Sequence, residues 1–309
     1  MWDIFLKTLP FFALIGLGYV SGRTRFFNDE ATAYLTKFVF YFALSAMIFR
    51  FAATLEISQL LDWTFITAYM AGSVVVYAIA TAVAMSRGVG LAEGAVEAQC
   101  AVIGNVGFLG IPMFALLLGP EATRPVIIML TCDLIVFSSL IVALITVSRE
   151  GRLSLGILKT VVLGLVKNPM IVSIALGIVW SSWSLPMPEP IDEFLVLLGA
   201  AATPGALFAI GASLASKSAE RLTVALWLSL CKLVLHPAAV FVTAILIWPV
   251  DAFSAKIMVA AAALPVAGNI FILAQHYGVA PQRVSSAILV STTISVVTVA
   301  AVIAWLSPV

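Results

Sequence analysis

Charge is scarce in this chain. Lys and Arg together number 16 and Asp and Glu 15, or 10% of 309 residues, against roughly 25% in a soluble domain. The net charge of +1 leaves no basic surface for nucleic acid, and no partner of that class is expected. Cysteine is limited to Cys100, Cys132 and Cys231, an odd number, each within an apolar run, which excludes a disulfide framework or a cysteine-based zinc cluster. The two histidines, His236 and His276, lie in different apolar stretches and form no H-E-x-x-H motif. There is no Walker A run and no glycine fingerprint following a strand. These absences leave no constellation for an enzyme, no resident cofactor or metal site, and no means of hydrolysing ATP.

Apolar residues, by contrast, make up 62% of the chain, and the mean hydropathy is +1.15. No soluble fold of this size hides that much apolar surface, so the bilayer is the expected solvent. A spanning helix needs about 20 mostly apolar residues. The sequence predicts ten, at 3–22, 30–50, 63–86, 95–118, 124–147, 160–183, 193–215, 222–248, 254–276 and 282–306. The apolar N-terminal stretch lacks a basic leader and is interrupted by Pro10, so it reads as the first span rather than a signal peptide. Short polar segments such as Arg149 to Arg152 and Lys217 to Arg221 separate the spans and leave no soluble domain.

Lys and Arg then set the orientation. With the N-terminus outside, one face carries Arg23, Arg25, Lys37, Arg87, Arg149, Arg152, Lys159, Lys167, Lys217, Arg221 and Arg283. The other carries Lys7, Arg50, Arg124 and Lys256, and Lys232 lies within a span. The positive-inside rule therefore puts both termini outside. Minimal loops suggest a bacterial inner membrane.

Ten spans divide into halves 1–150 and 151–309, each of five, so the second half must be inverted relative to the first. Pro10 and Gly18 match Pro169 and Gly177 at one offset, as Ser45–Phe49 matches Pro204–Phe208. Gly104 and Asn105 in span 4 match Gly268 and Asn269 in span 9. Inverted repeats with Gly- or Pro-interrupted spans at corresponding positions point to a transporter binding site. Span 4 is interrupted by Gly104, Gly107, Gly110 and Pro112, and span 9 by Pro265 and Gly268. Mid-membrane backbone freed by such breaks must line a cavity or be buried in protein. The half-helices that begin after each break turn their N–H groups toward the gap, which suits a carboxylate. Opposing half-helix C-termini would suit a cation instead. Asn105 and Asn269, with Gly104, Gly268, Val106 and Ile270 beside them, are the expected substrate contacts, although each Asn can equally cap its own broken helix.

Asp133 lies mid-span, and an intramembrane carboxylate is a functional candidate by default. It can carry a coupling proton or pair permanently with Lys232, also mid-span. His236 shares a helix face with Lys232 and can relay protons or serve as an interior histidine. His276 is expected at the interface, and Glu97 and Gln99 at the opening of span 4. Thr131, Ser138, Ser139, Ser291, Thr292, Thr293 and Ser295 offer oxygens for a coupling sodium ion. A channel is the reading that saturable counterflow would exclude.

The motifs Gly104-Asn105…Gly110-Ile111-Pro112, Ala263-Leu264-Pro265…Phe271…Ala274…Tyr277 and Pro204–Phe208…Gly211–Leu214 resemble those of the auxin efflux carrier family, which includes plant auxin exporters and bacterial malonate- and malate-type carriers. Ser45 stands where the family usually has proline, and Gly104 and Ile270 where its plant members have it. The resemblance implies an all-helical fold akin to sodium/proton antiporters and bile-acid symporters. Spans 1, 2, 6 and 7 would form a scaffold, and spans 3–5 and 8–10 a mobile transport domain with spans 4 and 9 crossing in it. It further implies secondary transport of a small organic anion by an elevator motion, in a homodimer joined through spans 2 and 7.

Overall fold

The computed structural model describes residues 2–54, 62–150, 155–183, 186–216 and 222–306. Arg152, Lys217 and Arg221, assigned above to the more basic face, lie outside the described residues, as does the whole Lys217–Arg221 separator. The described residues are helical, with one isolated β-bridge and no longer strand among them.

Thirteen helices follow in order among the described residues. They are α1 (Trp2–Arg23), α2 (Asp29–Ala53), α3 (Trp63–Ser86), α4 (Leu91–Val102), α5 (Val106–Leu118), α6 (Pro120–Arg149) and α7 (Leu155–Lys167). The second half continues with α8 (Pro169–Ser182), α9 (Glu189–Ala215), α10 (Leu222–Ile247), α11 (Ala252–Ala262), α12 (Asn269–Tyr277) and α13 (Pro281–Leu306). Six of them, α2, α3, α6, α9, α10 and α13, are long and apolar enough to cross a membrane. The expected spans 4, 6 and 9 are each divided between two shorter helices. Between α7 and α8 the cause is local: Pro169 begins α8, Asn168 Oδ1 accepts from Met170 N–H, and the axis bends by 71°.

The helices form two groups. α1 packs along the second half of α9, and α8 along the second half of α2. Both contacts rest on glycine. A Cβ at Gly18 would collide with the Phe208 carbonyl and come 3.0 Å from Ala212 N. At Gly177 it would come 2.8 Å from the Phe49 carbonyl and 3.0 Å from Ala53 N. Gly18 and Gly177, Phe49 and Phe208, and Ala53 and Ala212 are each 159 positions apart, so one contact is built twice with its partners exchanged. The second group surrounds α4 and α11: α3 packs on α4 and α10, α6 on α4 and α11, and α13 on α10 and α12.

Ion pairs sort by end of the molecule. Arg87 and Arg283 share Glu97 at one end, where Arg149 also reaches the Tyr277 carbonyl. At the other end Arg50 holds Asp192 through both carboxylate oxygens at 2.6 and 3.1 Å, and Arg124 approaches Asp62 and Asp251 at 4.0 Å each. These clusters keep apart the two sets of arginines that charge counting separates.

Glu97 departs from its expected place. α4 begins at Leu91, so Glu97 sits in the second turn with its side chain fully buried, held by Arg87 and by Arg283 Nη1 at 2.7 Å. An isolated buried carboxylate is costly, which is why two arginines from other segments converge on it. Gln99 is buried as well, with no partner for its Oε1. His276, at the end of α12, packs edge-on against Tyr277 at 4.9 Å.

Candidate functional site

The isolated β-bridge marks the centre of the second group. Between α4 and α5 the chain leaves the helix at Ile103–Asn105, and between α11 and α12 at Pro265–Ala267. The two segments run antiparallel, with Gly104 opposite Val266. Asn105 N–H donates to the Pro265 carbonyl at 2.8 Å, and Ala267 N–H to the Ile103 carbonyl at 3.1 Å. Each unwound strand thus satisfies backbone groups of the other, as a break at membrane depth requires. Ser291 Oγ, fully buried on α13, accepts from Val266 N–H at 3.1 Å and fixes the second strand further.

Asn105 turns the chain into α5. Its φ of −75° and ψ of 52°, with Val106 N–H reaching the Gly104 carbonyl at 2.7 Å, form an inverse γ-turn. The Asn105 carbonyl then accepts from both Leu109 and Gly110, each at 3.0 Å, so α5 opens on a widened turn, Val106–Gly110. Pro112, expected as part of the break, instead lies in the first regular turn of Ile111–Leu118. Proline needs no donor there, so the interruption belongs to Gly104 and Asn105. Pro265 does lie within its break.

The glycines divide by their surroundings. A Cβ on Gly104 would sit 3.1 Å from Lys232 Cε and 3.2 Å from Nζ, and one on Gly110 would sit 2.9 Å from Leu264 Cδ1. Gly107 faces the Met170 methyl at 3.2 Å. Gly268 has open space on its Cβ side and an ordinary φ of −67°. Gly104→Ala is therefore expected to displace Lys232 and lower thermal stability, whereas Gly268→Ala folds normally and acts only on what occupies the gap. Parallel melting curves of the two variants check this, and equal destabilisation would contradict it.

Asn105, Val106 and Ile270 are buried, while Asn269 and Gly268 keep partial exposure. Asn269 Oδ1 is buried with no hydrogen-bond partner at the first position of α12. At the start of α5 Val106 N–H reaches the Gly104 carbonyl, at the start of α12 Ile270 and Phe271 N–H reach those of Ala267 and Gly268 at 3.4 and 3.1 Å, and the dipoles of the two half-helices add positive potential at the crossing. Phe108, in the first turn of α5, stacks on Phe40 of α2 at 5.9 Å and 14°, where the two helix groups meet.

Asp133 and Lys232 stand behind the crossing, each in a widened helical turn, Asp133–Phe137 and Cys231–Leu235, a distortion frequent at functional sites. They are not in contact as an ion pair, so the sequence alternative of a permanent pair is corrected. Lys232 Nζ instead donates to the Ala262 carbonyl, the C-terminal end of α11, where a cation answers the helix dipole. It also lies 3.0 Å from His236 Nδ1. Asp133 Oδ1 accepts from the Tyr69 hydroxyl at 2.6 Å, and Oδ2 is buried without a partner. His236 Nε2 meets Ser73 Oγ at 3.0 Å. Tyr69 and Ser73 are additions that the sequence does not single out. They lie one turn apart on α3, a spacing that pairs them on one face.

A family model described as membrane transport protein matches residues 3–303. A protein of Rhizobium meliloti (strain 1021) carrying the name "Putative malonate transporter" is 30% identical over 306 residues, which cover 97% of this chain and 94% of that protein.

Proposed function

The chain belongs to the membrane transport protein family and is a membrane transporter rather than an enzyme, and on that premise we propose that it carries a small carboxylate, malonate foremost, by secondary active transport. The carrying observation is the crossing itself. Two unwound strands are joined by backbone bonds, each leads into a half-helix, and Asn105 and Asn269 stand at those two starts. Dipoles and amides there replace the Arg that usually recognises a carboxylate.

In this reading ten spans form two inverted repeats, residues 1–150 and 151–309. The exchanged contacts at Gly18 and Gly177 support it. So do Arg124 and Arg283, also 159 positions apart, which approach the first halves of α11 and α4 respectively. α1, α2, α7, α8 and α9 are the scaffold, and a second copy docks through α2 and α9. The remaining helices α3–α6 and α10–α13 move as an elevator within the inner membrane, with both termini outside.

A proton is the coupling ion in this reading, carried by Asp133 with Lys232 and His236 in support. Sodium is the competing ion: Thr131, Ser138, Thr293 and Ser295 donate to carbonyls of their own helices, those of Ile127, Asp133, Leu289 and Thr292, which leaves their oxygen lone pairs able to coordinate it. Asp133→Asn is expected to flatten the pH dependence of uptake, and an unchanged pH profile would leave Asp133 a structural residue.

The test is thermal stabilisation of purified protein by a panel of carboxylates, with and without sodium. A ligand at a hundredfold excess over Kd contributes about 2.7 kcal/mol. A shift with malonate independent of sodium supports the reading. A shift with sodium alone, or only with neutral or cationic solutes, overturns it.

A further inference from the structure

We propose that the Lys232 ammonium is a built-in cation of the crossing: it takes the place that a sodium ion would otherwise fill at the two half-helix C-termini, and it supplies the fixed positive charge that holds the carboxylate. This rests on the carboxylate site proposed above and names the group that balances its charge.

α4 and α11 both end at the crossing with carbonyls that the breaks leave open. In a continued helix Ala101 would accept from Asn105 N–H, which instead donates to the Pro265 carbonyl at 2.8 Å. Ala261 would accept from residue 265, a proline with no N–H. Ala262 would accept from Val266 N–H, which donates to Ser291 Oγ at 3.1 Å. Such C-terminal carbonyls carry partial negative charge and draw a cation. Lys232 Nζ answers them by donating to the Ala262 carbonyl. A Cβ on Gly104, just past the end of α4, would lie 3.2 Å from Nζ and 3.4 Å from the Ala261 carbonyl. The glycine therefore leaves room for the ammonium where the two helix ends meet.

The surroundings suit an ammonium. Lys232 is fully buried on α10, inside the widened turn Cys231–Leu235. An ammonium has only donors, so His236 Nδ1, 3.0 Å from Nζ, accepts from it. Nε2–H is then left to donate to Ser73 Oγ at 3.0 Å, and the neutral ring adds no second positive charge. Among the described residues no carboxylate pairs with Lys232, and Asp133 Oδ1 accepts from the Tyr69 hydroxyl at 2.6 Å instead. A buried charge without such a partner is costly, and a methionine would fill the same space without that cost. An anion in the crossing is what answers the charge. A unit charge about 10 Å from another changes affinity about fifteenfold at an effective dielectric constant of about 20. Lys232 thus adds a full charge to the dipoles and amides of the crossing, and with its place filled no sodium ion is needed for binding.

The test is malonate affinity, read from thermal stabilisation of the purified full-length protein over a malonate series in sodium chloride and in choline chloride. The unaltered protein should bind malonate equally in both salts. Lys232→Met keeps the length of the side chain and should weaken malonate about fifteenfold in both. Lys232→Ala opens the space, and should bind malonate weakly in choline, which is too bulky to enter, and regain most of the loss with sodium or methylammonium. Malonate binding by the unaltered protein that requires sodium, an unchanged affinity in Lys232→Met, or a loss in Lys232→Ala that neither small cation restores would overturn the built-in cation and leave the carboxylate site standing. Absence of stabilisation of the unaltered protein by malonate would overturn the site itself, and the role of Lys232 with it.

Discussion

Alanine at either Asn105 or Asn269 is expected to reduce carboxylate uptake by about tenfold to a hundredfold, the equivalent of one hydrogen bond to a charged group. The double variant should fall to background. Folding should survive, because the crossing is held by backbone bonds between Asn105 and Pro265 and between Ala267 and Ile103, which alanine preserves. Asn269 is the more informative position. Its Oδ1 is buried without a partner, so its removal costs no internal bond, and lost uptake there reports on the substrate. Uptake at the unaltered rate by both single variants, with normal melting curves, would show that the asparagines only shape the two turns.

The second large effect concerns stability. Arg283→Met is expected to destabilise the protein by roughly 3 to 5 kcal/mol, because it leaves Glu97 buried with one of its two arginines gone. Glu97→Gln added to Arg283→Met should recover much of the loss by removing the uncompensated charge. The control is Glu93→Ala, since the Glu93 side chain is 44% exposed and its bond to Arg283 contributes little. Thermal melts in one detergent compare the three. If Arg283→Met melts no lower than Glu93→Ala, the buried cluster does not hold α4 to α13.

Much of this molecule is legible in the sequence because lipid imposes length and polarity on every segment. The third span, 63–86, matches its helix residue for residue, and most others differ by a few residues at the ends. The crossing is legible too, because clustered Gly and Asn in two matching spans free backbone groups that membrane depth tolerates only where they line a cavity or are buried in protein. Pro112 misleads because proline is a breaker inside a helix but is welcome in its first turn, and the sequence does not say where the turn begins. Glu97 reads as a helix-start residue because Arg87 and Arg283 reach it only after folding. Tyr69 and Ser73 carry no signal of their own. Their spacing on one face becomes meaningful only once α3 lies against α10 and α6, bringing His236 and Asp133 to either end of the pair.

The most direct measurement is counterflow of labelled malonate into proteoliposomes preloaded with unlabelled malonate. The carboxylate-carrier reading expects transient accumulation that saturates with concentration, requires no sodium, and vanishes in the Asn105→Ala, Asn269→Ala double variant. Flux that rises linearly without counterflow would instead describe a channel, and no malonate flux above that of empty vesicles would contradict a malonate site at the crossing.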